Sequence, residues 1–170
     1  MNVSEEMPAG SDWRNVAFDA IRSDNFDLFV SVLGKGVSVN ETDEKGDSLL
    51  KLACEKGALS IARSLLERGA DTERRDRRDR SALAVAACGG NVKLVRLLVG
   101  YGADVTADQG NGRLPVDFAA MSGHPEIVRY LESVSRSGKA GRLVLCRLVR
   151  AFRVLAGCFQ AKSFYFVPGN

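Results

Sequence analysis

Side chains that carry enzyme chemistry are few in this chain. There is one histidine, His124, and the four cysteines, Cys54, Cys88, Cys146 and Cys158, have no spacing typical of a metal site or a redox pair. A single histidine cannot complete both a Ser/His/Asp triad and a metal site, and Gly34-Lys35-Gly36 lacks the flanking spacing of a phosphate-binding loop. The neighbouring carboxylates Glu5 and Glu6 fall in a polar, acidic stretch, residues 1–10, expected to be disordered. No catalytic residue, metal or cofactor is therefore expected, and the chain reads as a non-enzyme. Charge is concentrated instead in Glu73-Arg74-Arg75-Asp76-Arg77-Arg78-Asp79-Arg80, five arginines around three acids. Arginine presents a planar fork to carboxylates and stacks on aromatics, which suits a binding surface. The competing reading is a solvated run whose Arg–Asp pairs neutralise one another.

What positions these residues is a repeat. Ala20, Ala53, Ala86 and Ala119 stand 33 residues apart, and their surroundings recur with them. Eight residues on come Leu28, Ile61, Leu94 and Ile127; twelve on come Val32, Leu65, Leu98 and Leu131. Four residues after the alanine stand Asp24, Gly57, Gly90 and Gly123, and sixteen after it Gly36, Gly69 and Gly102. Each unit thus reads as a short helix stopped by a turn, a second helix with apolar residues at i, i+1, i+4 and i+5, a glycine stop and a polar loop. The expected fold is all-α, a stack of helix–turn–helix units. No unit can bury its apolar face alone, so stability is a sum over units and the interfaces between neighbours.

A 33-residue period with this pattern resembles the ankyrin repeat. The resemblance is carried by Gly46-Asp47-Ser48-Leu49-Leu50-Lys51-Leu52-Ala53 running on to Leu65-Leu66-Glu67-Arg68-Gly69-Ala70-Asp71, by Val95-Arg96-Leu97-Leu98-Val99-Gly100-Tyr101-Gly102-Ala103-Asp104-Val105, and by Gly112-Arg113-Leu114-Pro115-Val116-Asp117-Phe118-Ala119 with Gly123-His124-Pro125-Glu126-Ile127-Val128. It covers residues 11–132, as four repeats over about 11–42, 43–75, 76–108 and 109–132. It implies a solenoid with projecting hairpin loops. No unit keeps the family's whole Thr-Pro-Leu-His helix start, which here reads Asn15-Val16-Ala17-Phe18, Ser48-Leu49-Leu50-Lys51, Ser81-Ala82-Leu83-Ala84 and Leu114-Pro115-Val116-Asp117. A weakened capping network is expected, at about 1 kcal/mol per lost cap. Trp13 replaces a turn glycine and is expected to anchor the first end of the stack, while His124, in the position of Asn25, Ala58 and Asn91, is expected to be structural.

The resemblance also implies a binding surface on the loop tips and the first-helix face. By register this gives Glu44, Lys45 and Asp47 on one tip, Arg77, Arg78 and Arg80 on the next, and Asn111 and Arg113 on the third. Helix positions add Arg22 and Ser23, Glu55 and Lys56, Cys88 and Gly89, and Met121 and Ser122. The implied function is a protein–protein interaction module, or adaptor, whose partner has an acidic patch facing the arginine tip. The segment from Gly112 to Asp117, with Gly123-His124, Val128-Arg129-Tyr130-Leu131 and Ser11-Asp12-Trp13, is also similar to four-repeat inhibitors of cyclin-dependent kinases, so a regulator that inhibits a protein kinase is a specific alternative. Those inhibitors shorten the second unit's first helix and have no long basic tail.

Composition fits one soluble domain, 45% hydrophobic and 26% charged, and neither a signal peptide nor a spanning stretch is read from the sequence. An intracellular place, cytoplasmic or nuclear, is expected, with free thiols suited to a reducing compartment. Of 24 basic and 21 acidic residues, seven basic and no acidic ones lie in 133–170, leaving 17 against 21, a net of −4, in 1–132. Residues 133–141 read as a flexible linker, and 142–170 as a basic amphipathic helix and tail. Over 142–156, Arg142, Arg147, Arg150 and Arg153 fall within an arc of about 140°, opposite Leu145, Leu148, Val149, Phe152 and Ala156. Such a helix could cap the last repeat, or contact an anionic membrane or a calmodulin-like protein. Phe164, Tyr165 and Phe166 could stack on bases, but nucleic acid is not the expected partner, nor is a small-molecule substrate.

Overall fold

A computed structural model of the chain describes residues 12–110 and 112–137. Among these the backbone forms eight α-helices: α1 (Trp13–Arg22), α2 (Phe26–Gly34), α3 (Leu49–Lys56), α4 (Leu59–Glu67), α5 (Ala82–Cys88), α6 (Val92–Gly100), α7 (Pro115–Met121) and α8 (Pro125–Ser137). They pack as four antiparallel pairs. First helices stack in the order α1, α3, α5, α7, and second helices in the order α2, α4, α6, α8. The expected segment 1–10 and the basic helix at 142–170 lie outside the described residues, as does Asn111.

The spacing of apolar residues becomes the core directly. Ala20, Ala53, Ala86 and Ala119 are all completely buried, as are Ile61, Leu94, Leu65 and Leu98. A methyl side chain at the ladder position lets neighbouring first helices approach closely, while the branched side chains of the second helices fill the space behind them. The turn four residues past each alanine is left-handed throughout: φ is +49° at Asp24, +75° at Gly57, +74° at Gly90 and +77° at Gly123. Gly90 has a second reason to be glycine. A Cβ there would stand 2.5 to 2.9 Å from ring atoms of His124.

Helix starts are capped more completely than the sequence suggested. Ser48 Oγ accepts from the Lys51 amide at 3.1 Å and Ser81 Oγ from the Ala84 amide at 3.4 Å. In the first pair Asp12 takes the role three residues upstream of the matching position, accepting from the Arg14 amide, so α1 is longer than α3, α5 or α7. Leu114 has no acceptor to offer, but the Asp117 carboxylate accepts from the Leu114 amide at 2.7 Å and satisfies that donor. The weakening expected from the departed motif is thus confined largely to Leu114. Trp13 packs against the first pair's core, with Lys35 Nζ 5.8 Å from its ring centroid.

The expected linker begins too early. Residues 133–137 continue α8. Their serine content suggested a loop, but Ser133 Oγ donates back to the Tyr130 carbonyl at 2.6 Å, Glu132 pairs with Arg136 at 3.2 Å one turn on, and Ser135 is buried. Hydroxyls that return to the helix backbone, with an i,i+4 ion pair, let a serine-rich sequence remain helical.

Candidate functional site

The tips between successive pairs are built on one recurring device. Asp43 Oδ1 accepts from the amides of Lys45 at 2.8 Å and Asp47 at 2.9 Å; 33 residues later Asp76 Oδ1 accepts from those of Arg78 at 2.8 Å and Arg80 at 2.9 Å. Each carboxylate folds its own loop into a tight turn. The backbone closes the same turns, with Asp43 N–H to Asp47 O and Asp76 N–H to Arg80 O, both at 3.0 Å. On the next tip Gln109 stands in that register, buried, its backbone N–H donating to the Arg113 carbonyl and its side-chain Oε1 accepting from the Ser81 backbone N–H at 2.6 Å.

Beneath the first two tips lies a buried cation. Lys51 is only 3% exposed, and its Nζ stands 2.9 Å from Asp47 Oδ1, 3.2 Å from Glu55 Oε2 and 3.5 Å from Asp76 Oδ2. Burial works to lower the pKa of this ammonium, but hydrogen bonds and charge from Asp47 and Glu55 outweigh it and hold it above the ordinary value. The side chain of Asp76 is buried too, and that burial works to raise its pKa. The backbone N–H and guanidinium of Arg80, at 2.7 and 2.9 Å through its side chain, and the Arg78 N–H prevail and hold it below the ordinary value. Lys51 and Asp76 therefore both carry charge at neutral pH, each compensated.

The arginine tip is not a free charge run. Arg77 Nη2 donates to the Glu44 carbonyl on the preceding tip, and Arg75 Nη1 to the Asp108 carbonyl on the following one. Arg75 also pairs with Asp79 at 3.4 Å. Three of the five arginines, Arg75, Arg77 and Arg80, thus brace the tips. Among the described residues the side chains of Arg78 and Lys45, both exposed, pair with no acid.

Six of the sequence-read residues, Lys45, Asp47, Glu55, Arg77, Arg78 and Arg80, line one open cleft of about 340 Å³, which Lys51 and Asp76 complete. Glu44 stands beside it and contributes its carbonyl to Arg77; Lys56, Arg113 and Met121 are exposed elsewhere on the same array and do not line it. Lys51 and Asp76 escaped the sequence reading, although Asp47-x3-Lys51-x3-Glu55 spaces two carboxylates one turn to either side of the lysine, and Asp43, Asp76 and Gln109 lie one period apart.

Of the remaining reactive types, Cys54 and His124 have structural places. Cys54 is buried, which pushes its thiol up to about 12 and leaves it protonated and inert. Cys88 is exposed, 3.2 Å from Ser122 Oγ. His124 Nε2 lies 3.1 Å from the Cys88 carbonyl, a contact that puts the ring proton on Nε2 and ties α8's start to the end of α5. Among the described residues no group of three or more His, Cys, Asp or Glu could hold a metal ion, and no helix is long and apolar enough to cross a membrane.

Stacked helix pairs, left-handed turns at a fixed period and tips closed by side-chain carboxylates are the features of a repeat solenoid. The family model for ankyrin repeats (3 copies) matches residues 17–109 and again 75–137. These matches take in more than half of the chain, which therefore belongs to the ankyrin-repeat family. Ankyrin repeats are in general non-catalytic modules that bind other proteins. No curated protein matches the chain.

Proposed function

We propose that this protein is a non-catalytic adaptor whose four helix pairs all serve as ankyrin repeats and which binds another protein through its tips and first-helix face. The observation that carries the reading is the cleft itself, where side chains from two tips and α3 are held in one rigid setting by Lys51 and Asp76. Binding groups fixed before the partner arrives lose less freedom on association. An intracellular setting, cytoplasmic or nuclear, suits the buried thiol of Cys54. The test is affinity recovery of partners by the full-length protein and by a Lys45→Glu/Arg78→Glu variant of equal thermal stability; unchanged recovery would remove the cleft from the binding surface. Kinase inhibition is the less supported specific case, because α3 is complete from Leu49 to Lys56 where those inhibitors are shortened.

The sequence of 142–170 supports a second contact. Arg142, Arg147, Arg150 and Arg153 on one helical face suit an anionic membrane or a calmodulin-like partner. Sedimentation with anionic liposomes, and calcium-dependent retention on calmodulin, should distinguish full-length protein from a 1–140 truncation. Equal behaviour of the two in both assays would dismiss the tail contact.

A further inference from the structure

Resting on the reading of this chain as a protein-binding module, we infer that the cleft between the first and second tips takes an acidic peptide segment of the partner, with Lys45 and Arg78 as the side chains that receive its carboxylates and Arg77 held in place beside them. The assignment follows from which charges are already satisfied. Within the cleft the carboxylates of Asp47, Glu55 and Asp76 are engaged by Lys51 and Arg80. Those five groups sum to −1. The rim adds three cations, Lys45, Arg78 and Arg77, and brings the eight lining residues to +2, or +1 with Glu44 beside them. Arg77 spends one nitrogen on the neutral Glu44 carbonyl, so its charge is not compensated there, while its stem runs 3.5 Å from where a side chain on Gly46 would begin. A guanidinium already fixed in orientation loses little entropy when it closes on a carboxylate.

The surroundings choose the partner class. Residues 12–132 carry 17 basic and 19 acidic residues, a net −2, so the cleft is a positive island on an acidic array, and within that array an acidic segment is steered to it. Glu55 lines the same opening, and the exposed Glu44 stands next to it through its carbonyl contact with Arg77. They would oppose a regular row of phosphates laid along the tips, whereas a peptide can aim separated carboxylates at the rim cations and turn its backbone N–H groups toward Asp47 and Glu55. An acidic peptide fits this alternation and a nucleic-acid strand does not.

Fluorescence anisotropy with labelled octaglutamate, octaglutamine and a single-stranded oligonucleotide of equal charge tests the inference on the full-length protein. Octaglutamate should bind, octaglutamine should not, and added salt should weaken the complex. Lys45→Glu/Arg78→Glu should cost about tenfold in affinity or more, while the control Lys93→Glu, an exposed cation outside the cleft, should leave it unchanged; matching circular dichroism melts would show that both variants fold. Absence of octaglutamate binding, equal binding by the double variant, or an oligonucleotide that binds more tightly and is lost with the same two residues would each overturn the assignment. A protein partner still recovered by the double variant would overturn the cleft alone and leave the adaptor reading standing. Octaglutamate binding in the cleft with no protein partner recovered would do the reverse.

Discussion

A lysine at 3% exposure is tolerable only because three carboxylates surround it, and removing one member of such a cluster leaves the others uncompensated. Lys51→Met should therefore destabilise the protein by about 3 kcal/mol in urea unfolding, although methionine fills most of the space. Asp76 supplies the pH dependence. Its folded pKa lies below the ordinary value of about 3.9, so its stabilising charge is fully present above that value and is lost as the pH falls through the folded pKa. Lys51 has the opposite sign: its contribution is complete below about 10.4 and disappears only as the pH rises through a still higher folded pKa. The stability gap between wild type and Asp76→Asn should hold from about pH 5 to 9 and narrow near pH 3; a gap unchanged at acid pH would contradict this. Gly90→Ala meets two obstacles, a φ of +74° and the His124 ring, whereas Gly102→Ala meets only a φ of +90°. The second should cost about 1–2 kcal/mol and the first clearly more, with part of the excess recovered in Gly90→Ala/His124→Ala. Equal losses at the two glycines would dismiss the ring contact.

Elements with a strict period were the most legible part of the sequence. The ladder of Ala20, Ala53, Ala86 and Ala119 identified first helices because burial at a shared interface demands the same small side chain in every unit. Enlarging it should overpack the stack, and Ala86→Val, between two other first helices, is expected to cost about 1–3 kcal/mol by thermal or urea unfolding; a neutral result would mean the helices do not meet closely there. Ser48→Ala should cost about 1 kcal/mol through its lost cap. The tips were less legible for a physical reason. Arg77 to Glu44 and Arg75 to Asp108 are each contacts 33 residues apart, and a local reading of the arginine run sees only its neighbours Asp76 and Asp79. Lys51 was hidden by a similar limit, because its third carboxylate comes from the following tip. Composition also misled at Ser133 to Ser137, where the Ser133 hydroxyl's bond to the Tyr130 carbonyl and the Glu132–Arg136 pair extend α8 beyond the expected boundary.

At the scale of the whole molecule, the four described helix pairs, each stacked on its neighbours, make a scaffold whose tips form one braced edge, with a positive cleft on an acidic array. This explains why reversing all of Arg77, Arg78 and Arg80 would confuse binding with folding: Arg80 holds Asp76, and Arg77 clasps the preceding tip. Lys45 and Arg78 have no such duty among the described residues, so they separate the two. Quantitative affinity purification with the wild type and Lys45→Glu/Arg78→Glu, alongside their melting curves, tests the central claim most directly. The expected result is one or more protein partners depleted about tenfold or more in the variant, with the two melts superimposed. Undiminished recovery of every partner by a variant that melts like the wild type would contradict it.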